Sequence, residues 1–193
     1  MFQELDKNIA KRIAFNQEEI DFLHSVLVPK KIKKKEFLLQ AGEVCLFEAY
    51  LVKGIARIYY LNEKGFEVDL LFPAEDWWVS DIGSFTEQKP SQLFIQAIED
   101  CEFLFLGFNS KAQLLTKFPV FERYFRVLVQ KSLESVMNRL IGNISKPAEE
   151  RYLEFISKYP SIPQRVPQHL IAAYLGISPE FLSKVRAKLR SNK

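Results

Sequence analysis

The sequence predicts an α+β chain: an antiparallel double-stranded β-helix (a jelly roll), one long helix, and a C-terminal helix-turn-helix. Three observations predict it. From Ile32 to Phe108, short apolar and aromatic runs alternate with turn residues, and several short strands at even spacing make an antiparallel roll or barrel. From Phe121 to Ile144, apolar residues recur mostly three or four apart, a helical period sustained for about seven turns. From Val166 to Arg190, two short apolar-striped segments flank Gly176. The expected units are residues 1–117, the roll with an N-terminal helix; 118–144, the long helix and hinge; and 145–193, the helix-turn-helix.

Asn16 and Glu19 form a capping box before Ile20, Leu23, Val26 and Leu27, so a short helix opens the body. The strand candidates are Phe37–Leu39, Phe47–Val52, Ile55–Leu61, Phe66–Phe72, Leu93–Ile98 and Phe103–Phe108, with the Asn62–Gly65 turn as the clearest hairpin. Lysines 30, 31, 33, 34 and 35 read as a solvated approach to the first strand and receive no function. The stripe Phe121, Phe125, Leu128, Leu133, Val136 and Leu140 suits one side of a two-stranded coiled coil. The alternative is a helix lying across its own roll. Pairing is expected, because a helix-turn-helix needs two copies to read a symmetric site. The helix should end near Gly142-Asn143, and Ser145-Lys146-Pro147 should start the next one, with Glu149 and Glu150 in its first turn.

The C-terminal pattern is the most specific. Leu170, Ile171, Tyr174 and Leu175 give one apolar face, and Gly176 supplies the left-handed backbone that ends a helix. Ser178 suits an N-cap, Pro179 the first helical position and Glu180 the first turn. Leu182, Val185 and Leu189 form a buried stripe, while Glu180, Ser183, Lys184, Arg186, Lys188 and Arg190 share the other face. Residues 145–193 hold nine Lys/Arg against four Glu, a net of +5; the chain's +3 leaves −2 for residues 1–144. Basicity confined to this end suits a phosphate-facing module, so double-stranded DNA is the expected partner.

With 48% hydrophobic and 26% charged residues the chain can bury a real core. Two cysteines, Cys45 and Cys101, read as buried reduced thiols, and two thiolates do not make an iron–sulfur site. No signal peptide and no apolar run long enough for a bilayer is seen, so a cytoplasmic protein without membrane partners is expected. A metalloenzyme roll needs inward histidines, and residues 32–108 contain none. No Ser/Cys–His arrangement or Gly-rich phosphate loop is present, so neither catalysis nor a cofactor is expected.

At this point the residues carry a resemblance. Tyr174-Leu-Gly-Ile-Ser-Pro-Glu-Phe-Leu-Ser-Lys-Val-Arg186 and Ala74-Glu-Asp-Trp-Trp-Val-Ser-Asp-Ile-Gly-Ser-Phe85, in this order of elements, resemble the Crp/Fnr family of bacterial transcription regulators. Glu149-Glu-Arg-Tyr-Leu153 and Gln164-Arg-Val-Pro167 are similar to Bacteroidetes-type members. The resemblance implies a cyclic-nucleotide-binding-like roll, a dimerisation helix and a winged-helix-like reading head. It also implies a phosphate cassette, Phe-x-Gly-Glu followed about ten residues later by Arg-Ser/Thr-Ala. Here Trp78-Val79-Ser80-Asp81 and Ser91-Gln92 stand instead, and no Lys or Arg occurs between Lys64 and Lys89. Burying a phosphate without a cation costs several kcal/mol, so no cyclic-AMP binding in the family's manner is expected; the alternative is a regulator that binds a nucleotide or other small ligand in a rearranged pocket, with Asp81 on the ribose. Trp77, Trp78, Phe85 and Phe94 either line a pocket for an unknown small-molecule effector or have closed it as core. The resemblance puts Ser178, Gln168 and His169 on phosphate, Glu180 on cytosine and Lys184 on guanine, with Phe181 against a thymine methyl or packed into the domain.

Overall fold

The structure, a computed structural model, describes residues 1–191, with side chains as far as Leu189. Arg190 and Lys193, counted above in the basic segment, lie outside the described side chains. The element order is α1 (Gln3–Ala10), α2 (Gln17–Val26), β1 (Leu27–Ile32), β2 (Phe37–Leu39), β3 (Phe47–Lys53), β4 (Ala56–Leu61), β5 (Glu67–Leu71), β6 (Trp77–Val79), α3 (Ile82–Glu87), β7 (Phe94–Ala97), β8 (Cys101–Gly107), α4 (Phe108–Lys117), α5 (Val120–Ser145), α6 (Ala148–Lys158), α7 (Ile162–Arg165), α8 (Gln168–Leu175) and α9 (Pro179–Ser191).

The strands form two four-stranded sheets, β1-β8-β3-β6 and β2-β7-β4-β5, with every pairing antiparallel. Side-chain alternation explains how the first sheet serves two cores. Ala49, Leu51, Phe103 and Phe105 point into the roll, while Tyr50, Leu104 and Leu106 point out to the helices. That outer core collects Leu5, Ile9, Leu23, Leu114, Phe121 and Tyr124 from α1, α2, α4 and α5. The roll interior is packed with Leu39, Ala56, Ile58, Val79, Phe85 and Ile95. A third core joins Ile55 and Phe72 of the roll to Tyr152, Phe155, Ile171 and Leu182 of the C-terminal helices.

The capping box forms: Asn16 Oδ1 accepts from Glu19 N at 3.0 Å and Glu19 Oε2 accepts from Asn16 N at 2.7 Å. The Asn62 hairpin also forms, with Asn62 Oδ1 accepting from the N–H groups of Lys64 and Phe66 and Gly65 at φ 77°. Other elements differ from expectation. β1 replaces the solvated lysine approach; it is an edge strand, buried only at Leu27, and so lacks alternation. α1, α3, α4, α7 and the three-residue β6 are additional. The long helix runs on to Ser145, three residues past the Gly142 expected to end it, and Gly142 is buried. Among the described residues no strand follows β8, so the wing of a winged helix is missing from the head.

Candidate nucleic-acid interface

Helices α8 and α9 meet across a turn dictated by local chemistry. Gly176 caps α8 at φ 66°, and Ile177 N returns to Ala172 O at 3.0 Å, a left-handed cap that returns the chain on itself. Ser178 Oγ then accepts from Phe181 N at 3.1 Å, which starts α9. Leu182 and Val185 are buried against Ile171, Ala172 and Leu175. The opposite face presents Glu180, Phe181, Ser183, Lys184 and Lys188 to solvent, with Arg186 half-buried at its margin. Hydrogen bonds from its own backbone N–H and then from Ser178 hold the Glu180 carboxyl below the usual range.

Of the remaining expected contacts, Lys188 and His169 are exposed and Gln168 turns inward. Lys188 is braced against Glu149 of α6 at 3.0 Å. His169 is exposed, but Gln168 turns toward α7, donating to Pro163 O at 3.3 Å. Gln168 Oε1 is buried without a hydrogen-bond partner. Exposed Ala187 completes the α9 row; being small and uncharged, it gave no signal in the sequence.

The long helix divides in two. Phe121 and Phe125 are buried in the chain's own outer core and Leu128 packs against it. These three therefore serve the roll and leave the expected pairing stripe. From Val129 onward the apolar residues are open: Leu133, Val136, Leu140 and Ile144 are between 49% and 80% exposed, and Met137 and Ile141 widen the stripe. The helix touches its own body through another face, carrying Ser135, Arg139 and Gly142.

The cassette positions are occupied with one another. Asp81 caps α3 through Ser84 N at 3.2 Å, and its second oxygen accepts from Ser91 Oγ at 2.6 Å. Ser80 Oγ donates to Phe47 O at 3.0 Å, and Gln92 is exposed. Trp77, Trp78, Phe85 and Phe94 make their contacts in different parts of the chain. Trp77 meets Tyr159 of the C-terminal helices, Trp78 donates to Tyr124 OH at 2.8 Å, Phe85 is buried in the roll, and Phe94 stacks on Tyr59 at 5.0 Å. Of the two readings for these four, core describes Phe85 and Trp78, and the other two are surface and junction contacts.

The C-terminal helices are fixed to the roll by two arginines that sequence reasoning missed. Arg165 forks onto Glu75 at 2.9 and 2.6 Å and also bonds Glu99. Burial alone would raise the Glu75 carboxyl, but Arg165, together with the N–H groups of Glu75 and Gly54, outweighs it and holds the group low. Arg139 donates to Leu70 O, to Asp69 O at 3.4 Å and to Tyr174 O at 2.8 Å. Among the described residues no group of three or more His, Cys, Asp and Glu could hold a metal, and no helix is long and apolar enough to cross a membrane.

No protein-family model matches the chain, and no curated protein matches it. Solved structures do. The chain is similar to the c-di-GMP-responsive global regulator CLP of Xanthomonas campestris, at 16% identity over 92% of this chain and 93% of that one, with a TM-score of 0.73. It is similar to FixK2 of Bradyrhizobium japonicum, at 18% identity over 86% of each chain and a TM-score of 0.76. With the catabolite activator protein of Thermus thermophilus it shares 18% identity over 93% of this chain and 85% of that one, at a TM-score of 0.58. These neighbours are Crp/Fnr regulators, and the likeness is one of fold.

Proposed function

We propose that the chain is a homodimeric, DNA-binding transcription regulator of the Crp/Fnr type, in its Bacteroidetes-like form, working in the cytoplasm without catalysing a reaction. The observation that carries this reading is the solvent face of α9, where Glu180, Ser183 and Lys184 stand free of the core behind a Ser178-capped start. A helix so presented fits the major groove. Glu180 accepts from a cytosine amino group and Lys184 bonds guanine, less sharply than a forked Arg would. The α9 N-terminus, His169, Arg186 and Lys188 take phosphate, and Phe181 meets a thymine methyl. Ser178 contributes through its backbone, since its hydroxyl already caps the helix.

The second copy pairs along the open stripe of α5, which sets the half-sites about one helical turn, 10–10.5 bp, apart. The roll serves as scaffold: a cyclic nucleotide held by Asp81 would have to break the Ser91 bond. The test is salt-dependent binding to duplexes recovered from a random-sequence pool. Affinity should fall steeply with salt. Lys184→Ala should cost about 1–3 kcal/mol on sites with guanine at the paired position and little elsewhere. A uniform loss across all sequences would reduce Lys184 to a phosphate contact, and no retention on any duplex would end the proposal.

A further inference from the structure

Arg139 projects from the half of α5 that carries the open apolar stripe, but on its inward face, and its side chain meets no carboxylate in a salt bridge among the described residues. Its acceptors are backbone carbonyls from two different bodies. The first body is the roll. β5 is the edge of its sheet, and its register with β4 jumps from Tyr59↔Asp69 to Ile58↔Leu71. Leu70 is therefore the extra residue of a bulge, the position a ladder leaves unpaired. The second body is the head. Tyr174 lies in the last turn of α8, where carbonyls have no partner within the helix. Ala172 O and Ala173 O are taken by the chain at Gly176 and Ile177, and Tyr174 O is taken by Arg139.

A cation is favoured at that helix end, and the guanidinium carbon also lies 3.9 Å from the centre of the Tyr174 ring. One planar fork therefore spans three elements: the proposed pairing helix, the bulged edge of the roll, and the turn from which α9 departs. A lysine has the charge but not the two-sided reach. We infer that Arg139 is the positioning residue for DNA reading: it sets the angle of the head on the pairing helix, and through it the separation of the two recognition helices. This rests on the dimeric reading above.

The experiment uses the full chain and a symmetric duplex selected by the wild-type protein, its half-sites moved apart or together one base pair at a time, beside a duplex carrying a single half-site. Wild type should show a sharp optimum of spacing. Arg139→Met should flatten that profile and weaken the best symmetric duplex about 10- to 100-fold, the loss expected when two heads no longer engage together. Binding to the single half-site should be unchanged. Should Arg139→Met lose half-site binding too, Arg139→Lys carries the test and should keep half-site binding with a flattened profile. A sharp wild-type profile in either variant that retains half-site binding overturns the inference. Absence of duplex binding by wild type overturns the dimeric reading beneath it instead.

Discussion

The cassette of the roll and the outer face of α9 are built from similar polar side chains and treat them in opposite ways. Around α3, Ser80, Asp81, Ser84 and Ser91 are bonded to one another or to nearby backbone, and the neighbouring Phe85 is buried in the roll core. On α9, Glu180, Ser183 and Lys184 face water, and the cap is spent on starting the helix. A polar group satisfied inside the chain adds to stability and has little left for a ligand, while one left in solvent adds little to stability and is free to recognise. The difference fits the proposed division of labour, with scaffolding in the roll and recognition in the head.

Three measurements break or sharpen that contrast. The largest effect belongs to the other outward surface, the open stripe of α5. Leu133→Glu combined with Leu140→Glu places two charges on it without touching any of the three cores. Sedimentation should show the proposed dimer of the wild type replaced by monomer, and duplex affinity should drop about 100-fold or more as the second head is lost. A double variant that still sediments as a dimer would move the pairing surface elsewhere.

The next effect concerns a carboxylate that is inward but unsatisfied. Asp69 is wholly buried, and neither of its oxygens has a hydrogen bond. Arg57 stands 3.7 Å away, but its nearer bond is to Glu67 at 2.6 Å. Burial is the dominant influence and pushes the Asp69 carboxyl up to about 6, with Arg57 and Arg139 opposing and Glu67 assisting. The native state thus holds this proton more tightly than the unfolded chain does. Its contribution is intact below the unfolded pKa and is lost as pH rises through the folded one. The loss amounts to at most about 3 kcal/mol by pH 7. Asp69→Asn should remove that slope and be more stable than wild type near pH 8 in denaturant titrations. A less stable Asn variant there would mean that pairing with Arg57 outweighs burial.

The smallest effect compares two serines. Ser91→Ala removes a bond to the Asp81 carboxylate at 2.6 Å and should cost about 2 kcal/mol. Ser183→Ala, on the exposed face of α9, should change stability by less than about 0.5 kcal/mol. Equal costs in thermal melts would erase the distinction between the two regions.

Much of this arrangement was legible because it rests on short-range chemistry. The Asn16–Glu19 box, the Asn62 turn, and the Gly176–Ser178 junction each depend on residues within a few positions of one another. The six strand candidates all match strands, to within two residues at each end. What escaped has physical reasons. β1 lies at an edge and exposes Lys30 and Lys31, so no period of two appears. Phe121 and Phe125 belong to the same helical stripe as Leu133, and only the position of the roll decides where core ends and open surface begins. Of the expected site, the face from Glu180 to Lys184 was legible from spacing, whereas the inward turn of Gln168 was not. Arg139 and Arg165 look like ordinary surface cations in sequence, because their partners lie 35 to 90 positions away.

The core shared by Ile55, Phe72, Ile171 and Leu182 also bears on how such chains diversify. A head grafted from a relative at residue 146 would bring its own apolar seam to the Ile55 and Phe72 connections, which fit the present one. On the proposed DNA-reading function, changes of target sequence are therefore easiest on the outer row of α9. Replacement of the head as a unit would require matching substitutions where the roll meets it, at Ile55 and Phe72.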